Sequence, residues 1–323
     1  MDNKSGIFIF SRDNPDKLIQ ALQSIQKIHY DIVVVDDSTR EVNQITNRKI
    51  VSCLNYYYLG KPEFLAFIKR YMINLSEFSF LLRQLGDKSW NLGYTRNFAL
   101  LFGKASGFEN VLFMDDDIEV RSMHIVNELF ELLKSYQFVG ANIAGLVDDS
   151  VLGHIATDLN IFNERMLSGG FMAFRPSTIN QFFLNYYNED WIWLFLQLVG
   201  RQPRQEGEVF QAFSNPLDNY RDKVLFQEFG EILLDGILDC YPRGSFIDLN
   251  SQLFWERMVN ERKTYLDTLV RSSRKSNNIN YEEILEYIIE NSGKYRASTF
   301  RNLFEEYFSN LRPFQILFNS LKV

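Results

Sequence analysis

Two cysteines, Cys53 and Cys240, and three histidines, His29, His124 and His154, are the only thiols and imidazoles in 323 residues. The cysteines lie far apart without CxxC spacing and the histidines are scattered, so neither a disulfide framework nor a zinc cluster is indicated, and a reducing interior is the expected home. Basic residues are not in excess either: 34 Lys+Arg against 41 Asp+Glu leave a formal charge of -7 and a pI near 5.2. Nucleic-acid binding draws its affinity from cations that neutralise phosphates, so no nucleic-acid partner is expected. No apolar run reaches the roughly 18 residues of a membrane span, and the apolar part of MDNKSGIFIFSRDNP is too short for a signal peptide. A cytoplasmic protein with no transmembrane segment is expected. Internal repeats and low-complexity tracts are absent from the sequence.

What the chain does have is apolar content, 46% hydrophobic and 15% aromatic, enough for a substantial core. Its centre is Val111 to Val120, VLFMDDDIEV, where an apolar run ends in three carboxylates. Val111 to Met114 suits a strand covered on both faces, which delivers Asp115, Asp116 and Asp117 to its carboxyl end. Ligands of open α/β sheets bind outside those ends, and Asp115 and Asp117, two apart on an extended chain, point the same way and can share a hard cation that also holds phosphate. The competing reading is an acidic turn that caps a helix beginning near Ser122.

Strand signals at Ile7 to Phe10 and Ile32 to Val35 flank a helical pattern over Asp16 to Ile28, which predicts a parallel pair with a crossover. The second strand runs straight into Asp36 and Asp37. Asn47 to Tyr58 is expected to carry a third strand and Glu63 to Phe80 a helix. Gly86 to Asn97 reads as a polar loop leading to a helix at Phe98, which puts Arg96 and Asn97 at a helix start where an anion can bind, or in an ordinary capped surface loop. A helix over Met123 to Tyr136 and a strand over Val139 to Leu146 follow. In LSGGFMAFRP, Gly169 and Gly170 allow either close approach to a ligand or a tight turn. In NEDWIW, Glu189 and Asp190 are helix caps or, near an acceptor hydroxyl, a general base. From Asn219 onward helical periodicity dominates, in Arg221 to Asp239, Gln252 to Ser272, Tyr281 to Asn291 and Thr299 to Asn310, with a linker-like Ser272 to Asn280.

Taken in order, these motifs resemble family 2-like glycosyltransferases with the GT-A fold, over roughly the first two-thirds of the chain. The resemblance implies an α/β fold with a mostly parallel nucleotide-binding sheet flanked by helices, residues 1–218, and a C-terminal helical appendage, residues 219–323. It implies a nucleotide-diphosphate sugar donor and Mn²⁺ or Mg²⁺. Phe10, Ser11 and Arg12 with Asp36 and Asp37 are similar to the nucleoside-binding strands. Asn91, Gly93, Arg96 and Asn97 are similar to the N-x-G-x-x-R-N segment beside the nucleotide. Asp115 and Asp117 fit the DxD metal motif, with Asp116 between them at the donor; Gly169 and Gly170 fit the acceptor-side glycine loop, and Glu189 with Asp190 the ED pair, whose Asp is the base in inverting members. One departure stands out: no histidine follows His154, and Gln211 to Pro216 offers only Ser214 and Asn215 as further ligands. The expected function is metal-dependent sugar transfer to an unidentified acceptor hydroxyl with inversion. The alternatives are a retaining transferase, a nucleotidyltransferase, or a non-catalytic nucleotide-sugar-binding protein.

Overall fold

The computed structural model describes residues 4–26, 29–122, 124–144, 150–161, 167–198, 201–211, 215–276 and 279–321. Eight strands form one sheet: β1 (Ser5–Ser11), β2 (Asp31–Asp36), β3 (Tyr57–Leu59), β4 (Asn110–Asp115), β5 (Ile118–Glu119), β6 (Phe138–Ala144), β7 (Phe171–Phe174) and β8 (Arg204–Gln211). Their order is β3-β2-β1-β4-β7-β6-β8-β5. β3, β2, β1 and β4 are parallel neighbours, β7 runs antiparallel between β4 and β6, and β6 and β8 are again parallel. The mostly parallel sheet expected from the sequence is therefore present, with β7 reversed beside its centre and the two-residue β5 reversed at its edge.

Strand side chains alternate between two apolar layers because successive residues point to opposite faces. Phe8, Phe10, Val33, Val35, Val111 and Phe113 join one cluster, while Ile7, Ile9, Ile32, Val34, Leu112 and Met114 join the other. Continuous apolar runs follow from covering both faces. Helices α1 (Pro15–Ser24), α2 (Glu41–Cys53), α3 (Lys61–Arg70), α4 (Leu92–Ala105), α5 (His124–Leu132) and α7 (Glu189–Leu198) supply the cover, while α6 (Val151–Asp158) packs into a separate third cluster. α1 starts cleanly: Asn14 accepts from Lys17 N at 3.2 Å, and Pro15 occupies the first turn.

Several sequence expectations need correction. The strand expected over Asn47 to Tyr58 is mostly the end of α2, followed by the three-residue β3. Val42 and Ile45 are exposed on α2, so its apolar residues do not trace one face and its period is obscured. α3 ends at Arg70 rather than near Phe80. α6 lies inside Val147 to Asn163, a stretch that reads in the sequence as polar, and β8, with only Val209 buried, has too little apolar alternation to be recognised.

The C-terminal helices are α8 (Tyr220–Cys240), α9 (Gln252–Ser276), α10 (Ile279–Ser292) and α11 (Ala297–Ser320). Packing continues across residue 219. Trp193 of α7 stacks on Phe183 at 4.1 Å, Phe182 meets Tyr307 of α11 at 4.6 Å, and the Tyr307 hydroxyl donates to Gln181 Oε1 at 2.8 Å. Trp255 of α9 in turn stacks on Phe300 and Phe304. One apolar cluster therefore runs from the sheet into the last helix.

Candidate active site

The carboxyl ends of β1, β2 and β4 lie side by side, with Phe10 paired to Val35 and to Asp115. β4 ends at Asp115, and Asp116 and Asp117 form the tight turn into β5. This corrects the extended-chain picture: the two flanking aspartates meet different neighbours because the chain turns between them. Asp115 takes Arg96 Nη2 at 3.2 Å, whereas Asp117 takes Lys17 Nζ and Gln211 Nε2, each at 3.2 Å. Asp116 turns inward, its Oδ2 buried without a hydrogen-bond partner, and burial lifts it to about 7.

Arg96 is the hub. Its side chain is 2% exposed, and its guanidinium lies 3.2 Å from Asp115, 3.2 Å from Glu189 and 4.0 Å from Asp190. α4 begins at Leu92, not Phe98, so Arg96 is inside the helix and its backbone N–H is not a free anion donor; only the guanidinium reaches the site. Glu189 and Asp190 open α7, whose positive end favours carboxylates. Three acids around one cation leave net negative charge in a desolvated place, so a proton is favoured on the most buried of them. Burial accordingly pushes Glu189 up to about 8 despite Arg96, and desolvation raises Asp115 as well.

Gly169 and Gly170 lie against these acids. Gly169 N donates to Asp190 Oδ2 at 2.7 Å, and Gly170 O accepts from Asp115 N at 2.9 Å. A Cβ on Gly169 would come within 2.3 Å of Asp190 Cβ and 2.6 Å of Arg96 Nη1, so the pair's absent side chains are what allow acids and guanidinium to converge.

Other motif residues are occupied with the scaffold. Asn97 Nδ2 donates to Leu81 O and Phe183 O while its Oδ1 accepts from Phe183 N, which makes it a clamp rather than a ligand contact. Gly93 packs against the Leu184 carbonyl, where a Cβ would stand at 2.4 Å, and Phe10 packs edge-on to Phe113 in the core. Asp36 accepts from Ser38 N and the Tyr58 hydroxyl. Asp37 accepts from Gly86 N at 2.6 Å and Arg12 Nη1 at 2.8 Å, and burial pushes it to about 6. Arg12 also donates to the carbonyls of Asp87 and Ser89, tying the segment before Asn91 to the strand ends. Ser11 Oγ and Asn91 Oδ1 are buried at this mouth without hydrogen-bond partners. Ser214 lies outside the described residues. Lys17, Gln211 and Tyr58 were not singled out in the sequence; Lys17 sits one turn into a helix that begins behind the β1 end, a position that could have flagged it.

Among the described residues no three His, Cys, Asp or Glu side chains are disposed to hold a metal by themselves. Hard oxygen donors are nonetheless present in Asp115 and Asp117, and Mg²⁺-type ions are commonly held by one or two carboxylates with substrate phosphates completing the shell. The two acids fit that mode.

A parallel half-sheet joined through a reversed strand to a second half, with paired aspartates at the junction, defines a GT-A type fold. A crystal structure of M. tuberculosis glucosyl-3-phosphoglycerate synthase superposes with a TM-score of 0.50 at 12% identity, over 73% of this chain and 81% of that chain. A structure of the Mycobacterium tuberculosis enzyme with Mn²⁺ and UDP-glucose gives 0.48 at 15% identity, over 73% and 79%. No family model matches the sequence, and no curated protein matches it.

Proposed function

We propose that the chain is a glycosyltransferase that uses a nucleotide-diphosphate sugar and a divalent cation, Mn²⁺ or Mg²⁺. The observation that carries this reading is the convergence of Asp115, Glu189 and Asp190 on Arg96, with Asp117 alongside, at the carboxyl ends of the parallel strands. The solved enzyme with a similar outline was crystallised with Mn²⁺ and UDP-glucose, in keeping with that chemistry.

Asp115 and Asp117 would hold the cation, which when bound supplies positive charge to the donor's diphosphate as the sugar leaves. Arg12 and Asp37, beside Ser11 and Asn91, border the end of the crevice assigned to the nucleoside. Lys17 holds Asp117 from the side of α1. Asp190, fixed by the Gly169 N–H, accepts the proton of the acceptor hydroxyl as its oxygen attacks the anomeric carbon. Glu189, protonated at neutral pH and so not free to take a further proton, keeps Arg96 aligned between the acids. Direct attack assisted by Asp190 inverts the anomeric centre.

Incubation with nucleotide sugars and Mn²⁺ tests the reading, with release of nucleoside diphosphate as the signal. Full activity in Asp117→Ala would falsify the metal assignment, and release of pyrophosphate would replace transfer of a sugar by transfer of a nucleotide. A product of retained anomeric configuration, read by NMR, would remove Asp190 from the role of base while leaving the donor assignment standing.

A further inference from the structure

A cavity of about 260 Å³ opens on the far side of α4 from the acids, walled by the segment before α4, the segment before α7 and the last helix. Tyr94 lines it and Arg96 points to the acid cluster; two residues apart on a helix of 100° per residue, they face nearly opposite ways. The cavity is therefore separate from the crevice described above.

Its lining is amphiphilic and unsatisfied. Phe182 and Tyr307 are buried beneath it, and the Tyr307 hydroxyl is already engaged by Gln181. Above this floor stand Tyr94 and Tyr186, both half-buried, with exposed Arg83 and Glu306 at the rim. The Arg83 guanidinium sits 5.2 Å over the Tyr94 ring. Among the described residues Arg83 and Glu306 take part in no ion pair, and the hydroxyls of Tyr94 and Tyr186 have no hydrogen bond. Asn185 adds a buried Oδ1 without a partner. Burial raises both tyrosine hydroxyls, so they remain donors at neutral pH.

We propose that this cavity binds a single neutral saccharide ring. Apolar and aromatic walls suit the C–H faces of a sugar, while one cation, one anion, the free hydroxyls of Tyr94 and Tyr186 and the amides of Asn185 and Asn310 offer donors and acceptors to its hydroxyl groups without a net charge to attract an ion. Pockets for drug-sized ligands span roughly 300–1,000 Å³, so a smaller space suits one ring. The saccharide assignment stands on the lining alone. Its placement as a subsite for an acceptor or product glycan rests on the proposed transfer reaction. Residues Tyr187 and Asn188 connect this wall directly to Glu189 and Asp190, so a ring held at Tyr186 braces the start of α7.

Saturation-transfer NMR on the full chain with glucose, galactose, mannose, maltose and cellobiose tests this. At least one of them should bind, and Glu306→Gln and Arg83→Gln, both exposed and safe for folding, should each weaken it by at least about tenfold, the loss of a charged hydrogen bond. Tyr186→Phe should weaken it less. Mn²⁺-dependent binding of a nucleoside diphosphate, measured by calorimetry on the same proteins, should be unchanged by the rim variants and lost in Asp117→Ala, so the cavity and the donor site fail or stand separately. The proposal is overturned if no sugar of the panel binds at tens of millimolar, if the rim variants bind sugar like wild type, or if a zwitterionic amino acid displaces the sugar.

Discussion

Arg96 and Arg262 are each a buried arginine among three carboxylates, yet the two clusters are satisfied to very different degrees. Arg262, on α9, gives Nε and Nη2 to Glu228 at 2.9 and 2.7 Å, with Asp235 at 3.5 Å and Glu231 at 3.7 Å from Nη1. That is a bidentate pair within a helical bundle, its partners presented at helical spacing on one neighbour, α8. Arg96 has no such partner: its Nε and Nη1 make no hydrogen bond, and its acids come from a strand end and a helix start. The same ingredients make a knot in one place and an under-satisfied centre in the other, and it is the second that can exchange partners with a ligand.

Truncating the Arg262 knot is expected to have the largest effect. Arg262→Ala leaves Glu228 buried without its cation and should destabilise the chain by about 3–5 kcal/mol in urea denaturation, with metal-dependent nucleotide binding intact in the folded fraction. A loss of nucleotide binding in that fraction would show that the two clusters are coupled. Next in size is Asp117→Ala, which should lower turnover on the order of 10²–10³-fold while shifting the urea midpoint little, since Lys17 and Gln211 are partly exposed partners. Gly169→Ala should reduce turnover by about 10²-fold, because the new methyl displaces Asp190 or Arg96; a variant of normal rate would mean that Asp190 is not held as the geometry has it.

Asp37 is raised from 3.8 to about 6, chiefly by burial, so the folded state holds a proton that the unfolded state has released. Its contribution is fully present below pH 3.8 and is lost as pH rises through about 6. A melting series over that window should show a decline that Asp37→Asn flattens. The smallest effect expected is that of the α1 cap: Asn14→Ala should cost about 1 kcal/mol and, by loosening the turn that carries Lys17, weaken nucleotide binding slightly.

How much of this could be read in advance varies from element to element for physical reasons. β1, β2 and β4 were legible because strands covered on both faces are apolar throughout, and their acids follow where the cover ends. α7 to α10 and the first half of α11 were legible because amphipathic helices packed on apolar clusters repeat every turn, whereas the linker expected at Ser272 to Asn280 is largely the end of α9 and the start of α10, and α11 runs on past Asn310 to Ser320. α2 escaped because exposed Val42 and Ile45 blur its face, and β8 because a largely exposed strand carries almost no apolar pattern. At the site, spacing pointed to Asp115, Asp117, Glu189, Asp190 and the glycine pair as a set, but the hub position of Arg96 depends on three segments meeting in space. Asn97 shows the opposite failure: a polar residue in a binding motif can be spent on backbone carbonyls, and only the packing of Leu81 and Phe183 reveals it.

The sheet's two outermost strands are its shortest, three residues at β3 and two at β5. Free backbone donors and acceptors along a sheet border are a template on which a second molecule can add its own strand. At the β3 border few rungs are available, and at the other border β5 pairs only with Phe210 and Gln211 of β8, whose remaining length carries the charges of Arg204, Glu206 and Glu208. At the high concentrations where edge-to-edge association sets in, one short margin and one charged margin disfavour the addition of another copy.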